Sequence, residues 1–192
     1  MYRRSLGFTG VLLLAVSAAL LSCTVGPRDD RSTATQVLVV PTAVGATATA
    51  SASPTNSPIP AGYRIQIPRL GIDLPIEEGD VQRDTVDQLT PENFAFHLPG
   101  TAIPGQGSNS YLYSHARRGM FLSLWNAHEG DEVWISTPDR LALRYVVTEV
   151  HPRVPPDDLS WVRPTAAERL TLQTSTGPNR EDPRFIVIAL PR

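Results

Sequence analysis

The C-terminal part of the chain reads LTLQTSTGPNREDPRFIVIA, residues 170–189. Its first five residues alternate between apolar and polar side chains, which is typical of a β-strand with one buried face. Residues 185–189 are apolar throughout, so we expect a central strand that is covered on both faces. The sequence therefore predicts two strands here, joined by a loop that contains Arg180.

The residues that precede this stretch also predict short strands. Alternating or compact apolar runs occupy residues 63–67, 72–76, 110–113, 132–136 and 141–150. Residues 120–125 predict one short helix, and Thr165 with Glu168 fits a capping box, which predicts another. The stretches 91–107 and 152–164 are rich in proline or glycine and predict loops. Many short strands with little helix indicate an all-β barrel or sandwich.

The composition is that of one globular domain with additional segments. The chain has 192 residues, of which 41% are hydrophobic and 19% charged, and its formal net charge is -2. This charge does not predict a nucleic-acid partner. Cys23 is the single cysteine, so an intramolecular disulfide is excluded and the folded region has no thiol. The histidines lack metal-ligand spacing, so neither a metal nor another cofactor is predicted.

Residues 1–23 have the pattern of a lipoprotein signal peptide. Arg3 and Arg4 precede an apolar segment that is short for a membrane span. The segment ends Leu-Leu-Ser-Cys at Cys23, which resembles a lipobox, where the cysteine takes a diacylglycerol. Two other interpretations remain open: an ordinary signal peptide with a chance cysteine, and an uncleaved anchor. The hypothesis is an extracytoplasmic protein held to the membrane by lipidated Cys23.

Residues 24–61 are dominated by Thr, Ala, Ser, Pro and Val and contain no aromatic residue. Small side chains of this kind bury too little area to offset the entropy lost on ordering. We therefore expect a disordered tether over residues 24–61 and a folded domain over residues 62–192.

Three motifs in the folded region resemble those of one family. Thr171-Leu-Gln-Thr-Ser175 is similar to the sortase signature Thr-Leu-x-Thr-Cys, with serine in the last place. Arg184 opens an apolar strand nine residues later, where sortases have an essential arginine. Residues 104–115 are similar to the family's Pro-Gly and Gly-Asn run and the strand that ends in a histidine, here His115. The resemblance covers residues 63–190 in the family's order.

The resemblance implies a fold and a set of roles. The fold is a sortase-like, eight-stranded β-barrel with one or two short helices. Ser175 stands in the nucleophile position, His115 handles the proton and Arg184 stabilises charge on the substrate carbonyl, with Arg180 as the second choice for the arginine. Thr174 and Trp161 are candidate substrate-binding residues. The implied partners are a peptide or cell-wall substrate and the membrane.

The serine leaves the activity open between alternatives. A hydroxyl is far less acidic than a thiol and needs a neutral histidine as general base. The first hypothesis is therefore a serine-dependent acyl transferase or hydrolase. The second is an inactive sortase-fold module that binds a peptide or cell wall, and the third is a structural envelope lipoprotein. Taken singly, each of the three side chains could also be an ordinary strand-end or surface residue.

Overall fold

The computed structural model describes residues 57–192. The predicted signal peptide, the lipobox cysteine Cys23 and nearly all of the predicted tether lie outside the described residues. Within residues 57–192, no helix has the length and apolar character needed to cross a membrane.

Eight strands close into one barrel in the order β1-β2-β3-β4-β7-β8-β6-β5. Their bounds are β1 Arg64–Ile67, β2 Ile72–Glu78, β3 Ala95–His97, β4 Asn109–Tyr113, β5 Glu132–Ser136, β6 Ala142–Val154, β7 Arg169–Ser175 and β8 Arg184–Pro191. The pairs β2/β3 and β4/β7 are parallel, and the other neighbours are antiparallel. The β1/β5 pairing completes the circle. The all-β prediction of an eight-stranded barrel is confirmed.

The helical structure in the described residues is short. Two segments have five or six residues: η2, a π-helical turn at Gln82–Val86, and η3, a 3-10 helix at Phe121–Asn126. Two single turns, η1 Pro68–Leu70 and η4 Leu159–Val162, complete the set. The predicted short helix at residues 120–125 corresponds to η3.

The barrel interior is filled by every second side chain of the strands. Leu170 and Leu172 of β7 are fully buried, as are Ile65 and Ile67 of β1. Full burial of such a side chain stabilises the fold by about 1.5–3 kcal/mol. The alternation that predicted these strands is therefore the alternation between core and surface.

Strand β8 is buried on both faces, as its apolar sequence predicts. Phe185, Val187 and Ala189 belong to the main core. Ile186 and Ile188 point the other way and form a second cluster with Val154 and the partly buried Trp161. Because β8 lies between β7 and β6, both of its edges are also hydrogen-bonded.

The predicted helix at residues 165–168 is wrong, because the two side chains that would cap it bind other groups. The Glu168 carboxylate accepts hydrogen bonds from the Tyr145 hydroxyl and, at 3.0 Å, from the Gly105 backbone N–H. The Thr165 hydroxyl donates to the Ala167 carbonyl at 2.7 Å. The helical turn of this region, η4, lies earlier in the chain.

Two strands differ from the sequence-based expectation. β3 lies inside the predicted loop 91–107, where its three residues are too few to show alternation. β6 continues past Pro152 to Val154. Proline has no N–H for the ladder, and the β6/β8 register shifts between His151 and Val154, which accommodates it.

Packing begins earlier than the predicted boundary at residue 62. Ile59 is buried in the main core, and its backbone N–H donates to the Glu78 carboxylate at 2.9 Å. The same carboxylate lies 2.9 Å from Nδ1 of the buried His97. The folded domain therefore includes residues that the composition assigned to the tether.

Candidate active site

The barrel places Ser175 and Arg184 side by side. Ser175 ends β7, Arg184 begins β8, and the two are partners in the antiparallel register. β4 runs parallel to β7 with Tyr113 opposite Gln173, so the chain two residues after Tyr113 reaches the level of Ser175. That residue is His115. All three candidate catalytic residues line one cavity of about 650 Å³.

The arginine is fixed by the loop that joins β7 to β8. Nη1 and Nη2 of Arg184 donate to the backbone carbonyls of Asp182 and Arg180, at 3.1 and 3.0 Å. The loop itself is closed by the Thr176 N–H, which donates to the Pro183 carbonyl at 3.0 Å. Two of the five guanidinium N–H donors are used in this way. Arg180, the second choice, also lines the cavity, and its side chain is exposed.

The charge of Arg184 reaches into the barrel wall. Burial raises the pKa of the Tyr111 hydroxyl, and the positive charge of Arg184 opposes that rise. The hydroxyl donates to the Gln173 side chain at 3.3 Å, and Gln173 also lines the cavity. The Arg184 charge is therefore close enough to the barrel wall to affect the pKa of a buried tyrosine.

The histidine is held at one ring nitrogen. Nε2 of His115 lies 3.1 Å from the backbone carbonyl of Thr90. A carbonyl can only accept, so Nε2 carries the hydrogen, and in the neutral ring Nδ1 is then the atom that can accept a proton. The His115 carbonyl accepts from the backbone N–H groups of Arg117 and Phe121, which fixes the turn between β4 and η3.

The hydroxyl of Ser175 makes no hydrogen bond to another group of residues 57–192 in this conformation. Its backbone carbonyl accepts from the indole N–H of Trp125 at 3.2 Å. Trp125 is 42% exposed and lines the same cavity. An aromatic side chain that is both exposed and hydrogen-bonded beside Ser175 provides an apolar surface for a ligand.

The two candidate substrate-binding residues lie elsewhere. Thr174 is fully buried, and its hydroxyl donates to the Ser114 carbonyl at 2.9 Å, so it faces away from the cavity that Ser175 lines. Trp161 packs against His151, with ring centroids 4.5 Å apart, on a separate shallow surface. The structure does not bring either side chain to the cavity.

One wall of the cavity was not predicted from the sequence. Asp84, Thr85, Gln88 and Thr90, all from the segment between β2 and β3, line the cavity. Residues 80–90 contain η2 and show neither strand nor regular helix periodicity, and their contacts with the site are distant in sequence. No local signal distinguished Asp84 from the other acidic residues of the chain.

Asp84 carries a buried charge in that wall. Burial acts to raise the pKa of its carboxyl, but hydrogen bonds from Arg83, from Tyr113 and from the Asp80 backbone outweigh burial and hold the pKa below its usual range. Burial and the neighbouring carboxylate both raise the pKa of the Tyr113 hydroxyl. Asp84 is thus ionised and paired, and Arg117, Arg180 and Arg184 supply positive charge around the cavity.

Side chains able to chelate a metal are not grouped in this domain. Across residues 57–192, no three or more His, Cys, Asp or Glu side chains are arranged to hold a metal ion. The cavity is lined by the Ser175 hydroxyl, the Arg184 guanidinium and the His115 imidazole, whose Nδ1 is available to accept a proton. Together these are the components of nucleophilic acyl transfer with charge stabilisation at a carbonyl oxygen.

Comparison with known proteins supports the same fold. The family model described as "Sortase domain" matches residues 65–192. No curated protein matches the chain.

Solved structures of sortases superpose on the barrel. The lid mutant of sortase A from Corynebacterium diphtheriae is 27% identical, with a TM-score of 0.59 over 71% of this chain and 72% of that one. A sortase D5 transpeptidase from Clostridium perfringens is 28% identical, with a TM-score of 0.57 over 70% and 82% of the two chains. Sortase C-1 from Actinomyces oris is 27% identical, with a TM-score of 0.57 over 69% and 74%. The family model covers about two thirds of the chain, residues 65–192 of 192, so the chain belongs to the sortase family.

Proposed function

We propose that the protein is an envelope enzyme that transfers or hydrolyses an acyl group on a peptide or cell-wall substrate, with Ser175 as the nucleophile. One observation carries this proposal: Ser175, His115 and Arg184 line a single cavity at the adjoining ends of β7, β4 and β8. Family membership supports the class of substrate, because sortases act on peptides and the cell wall.

The reaction begins with proton transfer from the Ser175 hydroxyl. Nδ1 of His115 takes the proton as Oγ forms a bond to the carbonyl carbon of the scissile peptide. Arg184 stabilises the negative charge that develops on the carbonyl oxygen. The carbon–nitrogen bond then breaks, and the imidazolium returns its proton to the leaving amine. The product is an ester between Ser175 and the acyl group.

The ester is resolved by a second nucleophile. His115 takes a proton from an acceptor amine or from water, the acceptor forms a bond to the carbonyl carbon, and Oγ of Ser175 leaves and regains a proton from the imidazolium. An amine acceptor gives transpeptidation and water gives hydrolysis. Arg184 stabilises the same oxygen in both halves of the reaction.

One observation favours a second function, a binding module without turnover. The hydroxyl of Ser175 is not hydrogen-bonded to His115 or to any other group of the described domain, and the domain contains no thiol. A serine without an aligned base is a weak nucleophile. In that case the cavity, with Trp125 and three arginines in its wall, still serves to hold a peptide.

Covalent labelling distinguishes the two functions. The protein lacking residues 1–23 is treated with a fluorophosphonate, and the modified peptide is identified by mass spectrometry. The enzyme proposal expects labelling at Ser175 that disappears in His115→Ala. His151→Ala is the matched control, because His151 is partly buried and lies outside the cavity. Absence of labelling in a folded protein favours the binding module.

We also propose that the domain is anchored by a lipid on Cys23, so that it works outside the cytoplasm near the membrane. The Leu-Leu-Ser-Cys sequence that ends the apolar segment supports this proposal. Mass spectrometry of the mature protein is expected to show diacylglycerol on an N-terminal Cys23. Cys23→Ala is expected to leave the protein unlipidated, and a mature chain that starts elsewhere contradicts the anchor.

A further inference from the structure

We propose that Asp84 is a positioning residue for His115: its buried carboxylate fixes residues 80–90 so that the Thr90 carbonyl holds Nε2–H and leaves Nδ1 facing the reaction. This rests on the proposed function for its catalytic meaning. The tautomer itself is a property of the folded protein whether or not Ser175 reacts.

Asp84 is the centre of a polar cluster. Its side chain is 2% exposed and accepts from Tyr113 Oη at 2.5 Å, and from Arg83 Nε and Nη2 at 2.5 and 2.9 Å. The Asp80 N–H donates to the same carboxylate at 3.0 Å. Tyr113 belongs to β4, so this cluster attaches the segment to the strand that leads directly to His115.

The cluster also fixes the far end of the segment. The Leu89 N–H donates to the Arg83 carbonyl at 2.9 Å, and the Thr90 hydroxyl donates to the Asp84 carbonyl at 3.4 Å. Thr90 is the residue whose own carbonyl accepts from Nε2 of His115. A continuous series of contacts therefore runs from Tyr113 through Asp84 and Thr90 to the histidine.

Apolar burial contributes little to holding this segment. Val81, Val86 and Leu89 are exposed to 52%, 53% and 71%. Gly79 directly precedes the segment. A Cβ atom at this position would overlap Tyr113 Oη, so the backbone of Gly79 lies directly against the tyrosine. The Arg83 guanidinium also lies over the Phe96 ring, 5.0 Å from its centroid. The hydrogen bonds of Asp84 therefore restrain the segment that leads to Thr90, and the Arg117–Glu92 ion pair restrains the chain just after it.

A backbone carbonyl takes the place that a carboxylate has in a serine–histidine–aspartate triad. In such triads the carboxylate holds one ring nitrogen as N–H, which directs the other nitrogen toward the nucleophile. Thr90 performs the first task without a negative charge, so it orients the ring while adding little stabilisation to the imidazolium. A serine nucleophile needs a neutral histidine whose ring carries its hydrogen on the nitrogen that faces away from the hydroxyl, and the Thr90 carbonyl supplies that orientation.

The test reads the tautomer directly, by ring ¹⁵N chemical shifts of His115 in the folded protein at a pH where the ring is neutral. The wild type is expected to show Nε2 protonated. Asp84→Asn and the milder variant Thr90→Val are expected to show a mixture of both tautomers. Tyr145→Phe is the matched control, because it removes a buried tyrosine–carboxylate hydrogen bond away from the cavity.

Labelling kinetics give the second readout. If Ser175 reacts with the fluorophosphonate, its rate is expected to fall at least about tenfold in Asp84→Asn and to stay unchanged in Tyr145→Phe. A wild-type ring protonated on Nδ1, or a tautomer unchanged in both segment variants, overturns the proposal. If Ser175 fails to react at all, the proposed function fails while the ¹⁵N result still decides the role of Asp84.

Discussion

At position 175 the chemistry depends on a single atom, because serine carries oxygen where the sortase motif has sulphur. A thiol near neutral pH is partly ionised when a cation lies close by, whereas a hydroxyl is not. Arg184 lies beside Ser175 across the β7/β8 pair, so the surroundings already contain the cation that a thiolate requires.

The first prediction is that Ser175→Cys produces a reactive thiol. In the protein lacking residues 1–23 it is the only cysteine, since Cys23 is removed. We expect alkylation by iodoacetamide at neutral pH at least about tenfold faster than for free cysteine, whose pKa is roughly 8.5. The matched control is Ser175→Cys combined with His115→Ala, which is expected to react more slowly. A rate equal to that of free cysteine would show that the cavity does not activate a nucleophile.

The second prediction separates the two candidate arginines. Arg184→Lys keeps the charge but loses the planar group that contacts two carbonyls, so we expect kcat/KM to fall by about 10²–10³. Arg180→Lys, a change of the same kind on an exposed side chain, is expected to alter kcat/KM by less than about threefold. Equal losses in both variants would mean that Arg184 has no special role.

Whether a candidate residue lines the cavity depends on its place in a strand and on the two-residue period of the strand. That Ser175, His115 and Arg184 share one cavity could be expected because each lies at or just beyond the end of a strand whose pattern is clear, and their catalytic roles stay a prediction. Thr174 cannot line the same cavity as Ser175, because successive side chains in β7 point to opposite faces. Leu172 and Thr174 are buried, whereas Gln173 and Ser175 line the cavity.

At the scale of elements, one ion pair lies just beyond the β1/β5 pairing and connects it to η3. Arg69 of η1 donates to both oxygens of Asp131, at 2.6 Å for the longer contact, and to the Asn126 carbonyl of η3 at 2.5 Å. The His128 N–H donates to the same carboxylate at 2.8 Å. The pair joins η1, η3 and the start of β5; the Asp131 side chain is 6% exposed and shielded from water, whereas the Arg69 side chain is 48% exposed.

The third prediction concerns stability in acid. The hydrogen bond from Arg69 lowers the pKa of Asp131, although burial opposes the shift. A lowered pKa in the folded state means that the stabilisation is complete above the unfolded pKa, about 3.9, and is lost as the pH falls through the folded value. Urea unfolding is therefore expected to show a smaller loss of stability below about pH 4 in Asp131→Asn than in the wild type.

Asp73→Asn is the matched control for this experiment. Asp73 also pairs with an arginine, Arg64, but both side chains are about half exposed, so the pair contributes little. We expect the pH dependence of Asp73→Asn to follow the wild type closely. If Asp131→Asn also followed the wild type, the Arg69–Asp131 pair would not be a source of acid sensitivity.

Local patterns predicted seven of the eight strands but not the contacts between distant elements. β3 has three residues and lies among prolines and glycines, so no pattern could show it. The capping box at residues 165–168 was misleading because Glu168 binds Tyr145, a residue 23 positions earlier. The cavity wall that contains Asp84 could not be predicted for the same reason, because Asp84 is held by Tyr113, which is 29 positions away in the sequence.

At the scale of the whole molecule, the N-terminal end of the domain is attached to the barrel at one point. Ile59 inserts into the core, and its N–H shares the Glu78 carboxylate with the ring of His97. Nε2 of His97 faces the Ala102 carbonyl at 3.0 Å, so both ring nitrogens are engaged. This attachment sets where a tether would begin.

The fourth prediction is that limited proteolysis of the chain leaves a stable product that begins before Ile59. In Ile59→Ala the first stable product is expected to begin closer to Tyr63, with a loss of about 2–5 kcal/mol in the free energy of unfolding. Leu159→Ala, which changes a side chain that is 66% exposed, is the control and is expected to change neither result. Cleavage first within β6, β7 or β8 would contradict the barrel boundary.

Closure of the barrel also limits how a peptide can be recognised. Within residues 57–192 the strand that ends at Ser175, β7, is paired with β4 on one side and with β8 on the other, so it has no free edge along Leu170–Gln173. An extended substrate therefore cannot join β7 by strand addition, which depends on the free N–H and C=O groups of an edge strand. The main chain of the substrate must instead be bound by side chains and by two loops that line the cavity, the β2–β3 segment and the β7–β8 loop. Changes in the sequence of these loops, more than changes in the barrel, are therefore the means by which such a protein would acquire a new substrate.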